Sequence, residues 1–148
     1  MLLIGNGRLI TRDNGTYYEN GAVAIDGKLI KEVGETAVLK ARYPEAEFID
    51  ADGGVIMPGL INMHNHIYSA FARGLSIKGY NPKNFNDILE GMWWTIDRKL
   101  THENNRLSSL AVFTDCIKNG VTTVFDHHAS YYDSPGSLDD IAEGATSL

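Results

Sequence analysis

At 148 residues, 43% hydrophobic and 22% charged, the chain has the makeup of an ordinary globular protein, long enough for one domain with a core or for two small units. Thirteen basic against nineteen acidic residues give a formal net charge of −6, and no basic stretch offsets it, which argues against nucleic acid or an anionic membrane as partner. The lone cysteine, Cys116, excludes an internal disulfide framework. The first residues, Met1-Leu2-Leu3-Ile4-Gly5-Asn6-Gly7, lack the long apolar region of a signal peptide, and no apolar run approaches the roughly eighteen residues of a membrane span, so a cytoplasmic location is expected.

The first fifty residues read as short strands and tight turns. Residues 2–4 and 8–11 are strand-like, with Asn6-Gly7 as a turn or bulge between them. Residues 21–25 and 28–33 flank Asp26-Gly27, a hairpin signal, because a two-residue turn of this kind needs positive φ that Asp and Gly tolerate. Residues 36–42 have room for one or two helical turns before Pro44, and residues 48–50 return to extended structure. Asp52-Gly53-Gly54 closes this part, and an apolar run begins at Val55. Pro58-Gly59 interrupts the run, so the strand proper is expected over residues 60–64.

Residues 67–83 read as a long loop with one helical turn, a length usually reserved for function. Phe85, Ile88, Leu89, Met92, Trp93, Ile96 and Leu100 recur at helical spacing as one apolar stripe, with Trp94 off it and free to meet a loop or ligand. Thr101 is the expected cap of a second helix, whose buried face is expected at Leu107, Leu110, Ala111, Thr114 and Ile117, with Gly120 ending it. Residues 121–125 form a second β-branched strand running into Asp126-His127-His128, and Ser137 is the expected cap of a further helix. Strand, loop, helices, strand, with polar residues at both strand ends, is the order of a parallel α/β domain that binds ligands at the carboxyl ends of its strands.

His64-Asn65-His66 ends the first of these strands. Side chains two apart on a strand share a face, so both imidazoles can converge on one point, as two ligands of a metal ion must. Imidazole nitrogen suits zinc and other borderline divalent metals. A bare His-x-His also arises by chance, and its context decides its weight.

That context is Pro58-Gly59-Leu60-Ile61-Asn62-Met63-His64-Asn65-His66, preceded by a small β module and followed, after a helix, by Gly120-Val121-Thr122-Thr123-Val124-Phe125-Asp126. It resembles the opening third of an amidohydrolase-superfamily enzyme. Residues 64–74 and 93–100 are similar to the cytosine-deaminase and chlorohydrolase branch, and within it to aminohydrolases associated with selenium metabolism.

The resemblance implies an α/β fold. Residues 1–54 would be part of a β-sandwich-like composite module, and residues 55–148 the first two β/α units of a truncated (β/α)8 TIM barrel. It implies that His64 and His66 hold a divalent metal, zinc first and iron as the alternative. The activity implied is metal-dependent hydrolysis of non-peptide carbon–nitrogen bonds, of the aminohydrolase or deaminase type. The substrate would be a small molecule, a nitrogen heterocycle among the candidates, and the enzyme a homodimer.

His127, Tyr68, Arg73 and Trp94 are the candidate substrate-binding residues, with a hydrogen-bonded rim histidine as the plain alternative for His127. Asn65 points opposite its neighbours and suits a supporting hydrogen bond, while Asp126 is expected to cap a turn or orient a histidine. A barrel of this kind takes about 250 residues, so the remaining ligands and the general base are expected beyond residue 148, with no catalytic residue inside the chain and the isolated piece inactive. A non-catalytic binding or scaffold remnant of the same fold, and a small stand-alone metal-binding protein, are the two competing readings.

Overall fold

The computed structural model describes residues 1–13, 15–132 and 134–148, and the chain divides into two compact units, Met1–Pro58 and Gly59–Leu148. The first is built on a five-stranded sheet. Strand β1 (Leu2–Ile10) runs antiparallel to β2 (Tyr17–Asp26), which pairs antiparallel with β3 (Leu29–Glu35). Along its other edge β1 runs parallel to β4 (Glu47–Asp50) and β5 (Val55–Ile56). Burial alternates along β1 through Leu3, Gly5, Gly7 and Leu9, the period of a strand with one covered face. That face meets helix α1 (Thr36–Arg42), and Leu3, Ala22, Ala24 and Leu39 form the core with Tyr43, Ala46 and Phe48 against it.

Of the turn or bulge expected at Asn6-Gly7, the structure has the bulge, and the two strands expected around it are one: Asn6 takes φ 58°, and the ladder with β2 slips there. Asparagine tolerates this conformation, and its amide N–H is satisfied by Thr36 Oγ1 at 2.9 Å. The β2–β3 turn is centred on Gly27-Lys28, one residue later than expected, because Asp26 still pairs with Leu29 and Gly27 supplies the positive φ of 61°. Val55 and Ile56, the head of the apolar run, pair with Arg8 and Leu9 of β1.

The second unit holds parallel strands β6 (Leu60–Asn65) and β7 (Val121–Asp126). Between them come a 3₁₀ segment (Ile67–Ala72), α2 (Phe85–Ile88), a π-helical turn (Leu89–Trp93), α3 (Trp94–Asp97) and α4 (His102–Lys118), and α5 (Ser137–Thr146) follows β7. The Pro58-Gly59 lead-in has a steric reason: a Cβ on Gly59 would lie 2.2 Å from Thr122 Oγ1 at the start of β7. Thr101 caps α4 as expected, accepting from the Asn104 amide at 3.3 Å while its own amide donates to Asn104 Oδ1 at 3.0 Å.

The stretch that carries the stripe is helical over residues 85–97, with a π turn inside it, and leaves the helix over residues 98–100; its one buried residue is a carboxylate, Asp97. The buried face of α4 also differs from expectation. Asn105, Ser108, Ser109 and Cys116 are buried, whereas Leu107 and Ile117 are 38% and 61% exposed. Small residues win there because α5 comes so close that a Cβ on Gly144 would fall 1.8 Å from Ser109 Oγ, and because Ser108 Oγ donates to the Tyr68 carbonyl. The cap of α5 is Gly136 at φ 90°, whose carbonyl accepts from the Asp139 and Asp140 amides, while Ser137 is the first helical residue and its hydroxyl donates to Ser134 O. Among the described residues no helix is long and apolar enough to cross a membrane.

Candidate metal centre

The end of β6 brings His64 and His66 to one face, with their Nε2 atoms 3.0 Å apart. Two ligands of a tetrahedral zinc at about 2.0–2.1 Å stand roughly 3.3 Å from each other, so the spacing is close to that of a shared cation. The Nδ1 of His66 lies 3.1 Å from the His127 carbonyl oxygen. A carbonyl only accepts, so this bond requires Nδ1–H and leaves the lone pair on Nε2, facing His64.

The end of β7 supports this arrangement through one backbone bond and one side-chain bond. His127 N donates to Asn65 O at 2.9 Å, and Ile67 N donates to Asp126 Oδ1 at 2.8 Å. Asn65 uses its own side chain locally, its Oδ1 accepting from the His66 amide at 2.8 Å.

A cavity of about 500 Å³ lies beside the pair, lined by His64, His66, Tyr68, Trp94, Asp97 and His127. Three of the substrate-binding candidates therefore share one cavity with the histidine pair. Arg73 borders a neighbouring cavity of about 450 Å³ that also reaches His64 and His66. Its guanidinium turns to Asp115 at 3.3 Å, and its Nε donates to Ala70 O. His128, unlike His127, is not among the cavity's lining residues: its ring packs on Tyr68 with centroids 5.4 Å apart, and its Nε2 lies 3.1 Å from Ser130 Oγ. Burial pushes its pKa below the usual imidazole range.

Asp97 lines the same cavity and was not singled out by the sequence. It is 4% exposed, and its Oδ1 has no hydrogen-bond partner. Burial raises its pKa, against a hydrogen-bonding interaction with Tyr68 and the nearby rings of His66 and His127, which lower it. A signal was there: Asp97 stands four residues after Trp93, on the apolar stripe, where a solvated charge does not belong.

Among the described residues, no group of three or more His, Cys, Asp or Glu side chains is placed to hold a metal ion. His64 and His66 offer two convergent imidazoles, the tautomer of His66 set by the His127 carbonyl, which fits two positions of a nitrogen-liganded divalent site.

Residues 55–148 match the model of the amidohydrolase family, and residues 21–46 match that of the imidazolonepropionase-like composite domain of bacteria. The chain belongs to the amidohydrolase family. Among its curated relatives, a 5′-deoxyadenosine deaminase of Methanosarcina barkeri is 32% identical over 126 residues, 84% of this chain and 27% of that protein. Among solved structures, a mutant of atrazine chlorohydrolase TrzN from Arthrobacter aurescens TC1, complexed with zinc and atraton, superposes with a TM-score of 0.83 at 31% identity. It covers all of this chain, which spans 34% of it. Guanine deaminase of E. coli shares the fold, with a TM-score of 0.81 at 20% identity, covering all of this chain and 35% of its own. The chain thus has the fold of the opening part of an amidohydrolase TIM barrel with part of its β module, and spans about a quarter to a third of the length of these proteins.

Proposed function

We propose that His64 and His66 are two ligands of a divalent metal ion, zinc before iron, in a hydrolase that cleaves a non-peptide carbon–nitrogen bond of a small nitrogen heterocycle. The observation that carries this reading is the pair of Nε2 atoms 3.0 Å apart, with the His66 tautomer held by the His127 carbonyl. A divalent cation in that position supplies the acidity that makes water nucleophilic near neutral pH.

The chain's own residues do the rest of what this unit contributes. His64 and His66 bring their Nε2 atoms together on one face, and the His127 carbonyl leaves the lone pair of His66 on Nε2 and keeps its ring from turning. Trp94 and Tyr68 give the cavity flat apolar walls that suit an aromatic ring, while His127 and Asp97 offer polar groups to a substrate's N–H and ring-nitrogen edges. Arg73, at the neighbouring cavity, is the candidate for an outer polar group of the substrate. The further ligands and the general base come from chain beyond residue 148. The single buried thiol suits a reducing cytoplasm, and the assembly proposed is a homodimer.

The test is ammonia release by the complete gene product, supplied with zinc and offered aminopurines, aminopyrimidines and aminotriazines. Turnover of at least one of these is expected, falling to background in His64→Ala and in His66→Ala. Turnover that survives both substitutions would overturn the reading.

A further inference from the structure

His66 sits at a seam. Before it, Asn65 is held in the parallel ladder, its carbonyl accepting from His127 N at 2.9 Å. After it, the chain leaves the strand at φ −131°, ψ 74° and enters the 3₁₀ segment at Ile67, which is 1% exposed. The ring direction of His66 therefore depends on how the backbone is fixed on both flanks. On the far flank, the bond that ties Ile67 to β7 comes from a side chain: Asp126 Oδ1 accepts from Ile67 N at 2.8 Å. The same carboxylate is 16% exposed, and its Oδ2 faces His128 Nδ1 at 3.9 Å. Asp126 is also the last residue of β7, so it sets where the next carbonyl, the one that accepts from His66 Nδ1, comes to lie.

We propose that Asp126 is a positioning residue for the metal ligand His66: through the Ile67 amide and the adjoining His127 carbonyl, it fixes the ring so that its Nε2 lone pair faces His64. The proposal rests on the metal-ligand reading of the pair. What matters in Asp126 is an oxygen acceptor at that distance, not its charge. Asparagine keeps such an oxygen, whereas alanine leaves the buried Ile67 N–H unsatisfied and the His66 segment free to relax.

The experiment compares wild type, Asp126→Asn and Asp126→Ala in the complete gene product. Zinc affinity is read by competition with a chromophoric chelator, and the His66 tautomer by nitrogen–proton correlation NMR of the metal-free protein. Asp126→Ala is expected to weaken zinc binding about 10- to 100-fold, the usual effect of removing a group that orients a ligand, and to lose the single Nδ1–H tautomer of His66. Asp126→Asn is expected to retain both. If Asp126→Ala does not fold, Asp126→Ser, whose hydroxyl is too short to reach the amide, is read in its place. Unchanged zinc affinity and tautomer in the truncated variant, or an equal loss in Asp126→Asn, would overturn the proposal. Should the wild type take up no zinc, the metal reading fails, while the tautomer comparison still decides the role of Asp126.

Discussion

A histidine pair at i and i+2 is plain in a sequence, but the proton that makes one of its rings a ligand is not. For His66 that proton is placed by a carbonyl sixty-one residues away, a contact that only the parallel pairing of β6 and β7 creates. Asp97 shows the opposite limit: its place four residues after Trp93 is plain in the sequence, but the cavity that takes it in at 4% exposure is not. Its raised pKa means that the folded protein binds a proton more tightly than the unfolded chain, so stability falls as pH rises through the window above about 3.9. Asp97→Asn is therefore expected to raise the melting temperature of the metal-free protein at pH 7, by about 2–4 °C if the relief is ~1 kcal/mol. A lower melting temperature would count against a costly buried charge. His128 runs the other way. Its depressed pKa means that the unfolded chain takes the proton first, so its share of stability is present above about pH 6.5 and is lost as pH falls below it. Denaturant titrations between pH 5 and 8 should show this slope in wild type and a flatter one in His128→Gln.

Elements were legible where one local rule sufficed. Thr101 as the cap of α4 and the β-branched run of β7 both read correctly, because each depends on neighbours within a few residues. The face of α4 did not, because it depends on how closely α5 approaches. Leu107 and Ile117 looked like core residues, yet Ser109 and Gly144 occupy the tight contact. The hairpin turn slipped by one residue for a similar reason: Asp26 continues the ladder with Leu29 instead of turning. Gly59 allows a sharper test of element packing. Gly59→Ala should cost about 1–3 kcal/mol, the usual range for overpacking, since the new methyl would meet the Thr122 side chain. Thr122→Ala should recover part of that loss, because it removes the two nearest atoms and leaves the Cβ at 2.8 Å. Purely additive losses in the double variant would contradict this packing.

At the scale of the molecule, the second unit's sheet has two strands, and Leu60, Ile61, Met63 and Phe125 are 46%, 53%, 67% and 56% exposed on them. Strand edges and apolar faces of this kind drive association. The 148-residue chain produced alone is expected to self-associate and to bind zinc weakly. A compact monomer by light scattering, with one tight zinc site by calorimetry, would contradict that. The sequence carried the family through two separated motifs. It did not carry the substrate, which the loops of a whole barrel select. The central claim is that His64 and His66 hold the metal. Its most direct test is the metal content of the complete gene product purified with zinc present. About one zinc per chain in wild type and a near-total loss in the His64→Ala/His66→Ala double variant are the results predicted, and undiminished zinc in the double variant would contradict the claim.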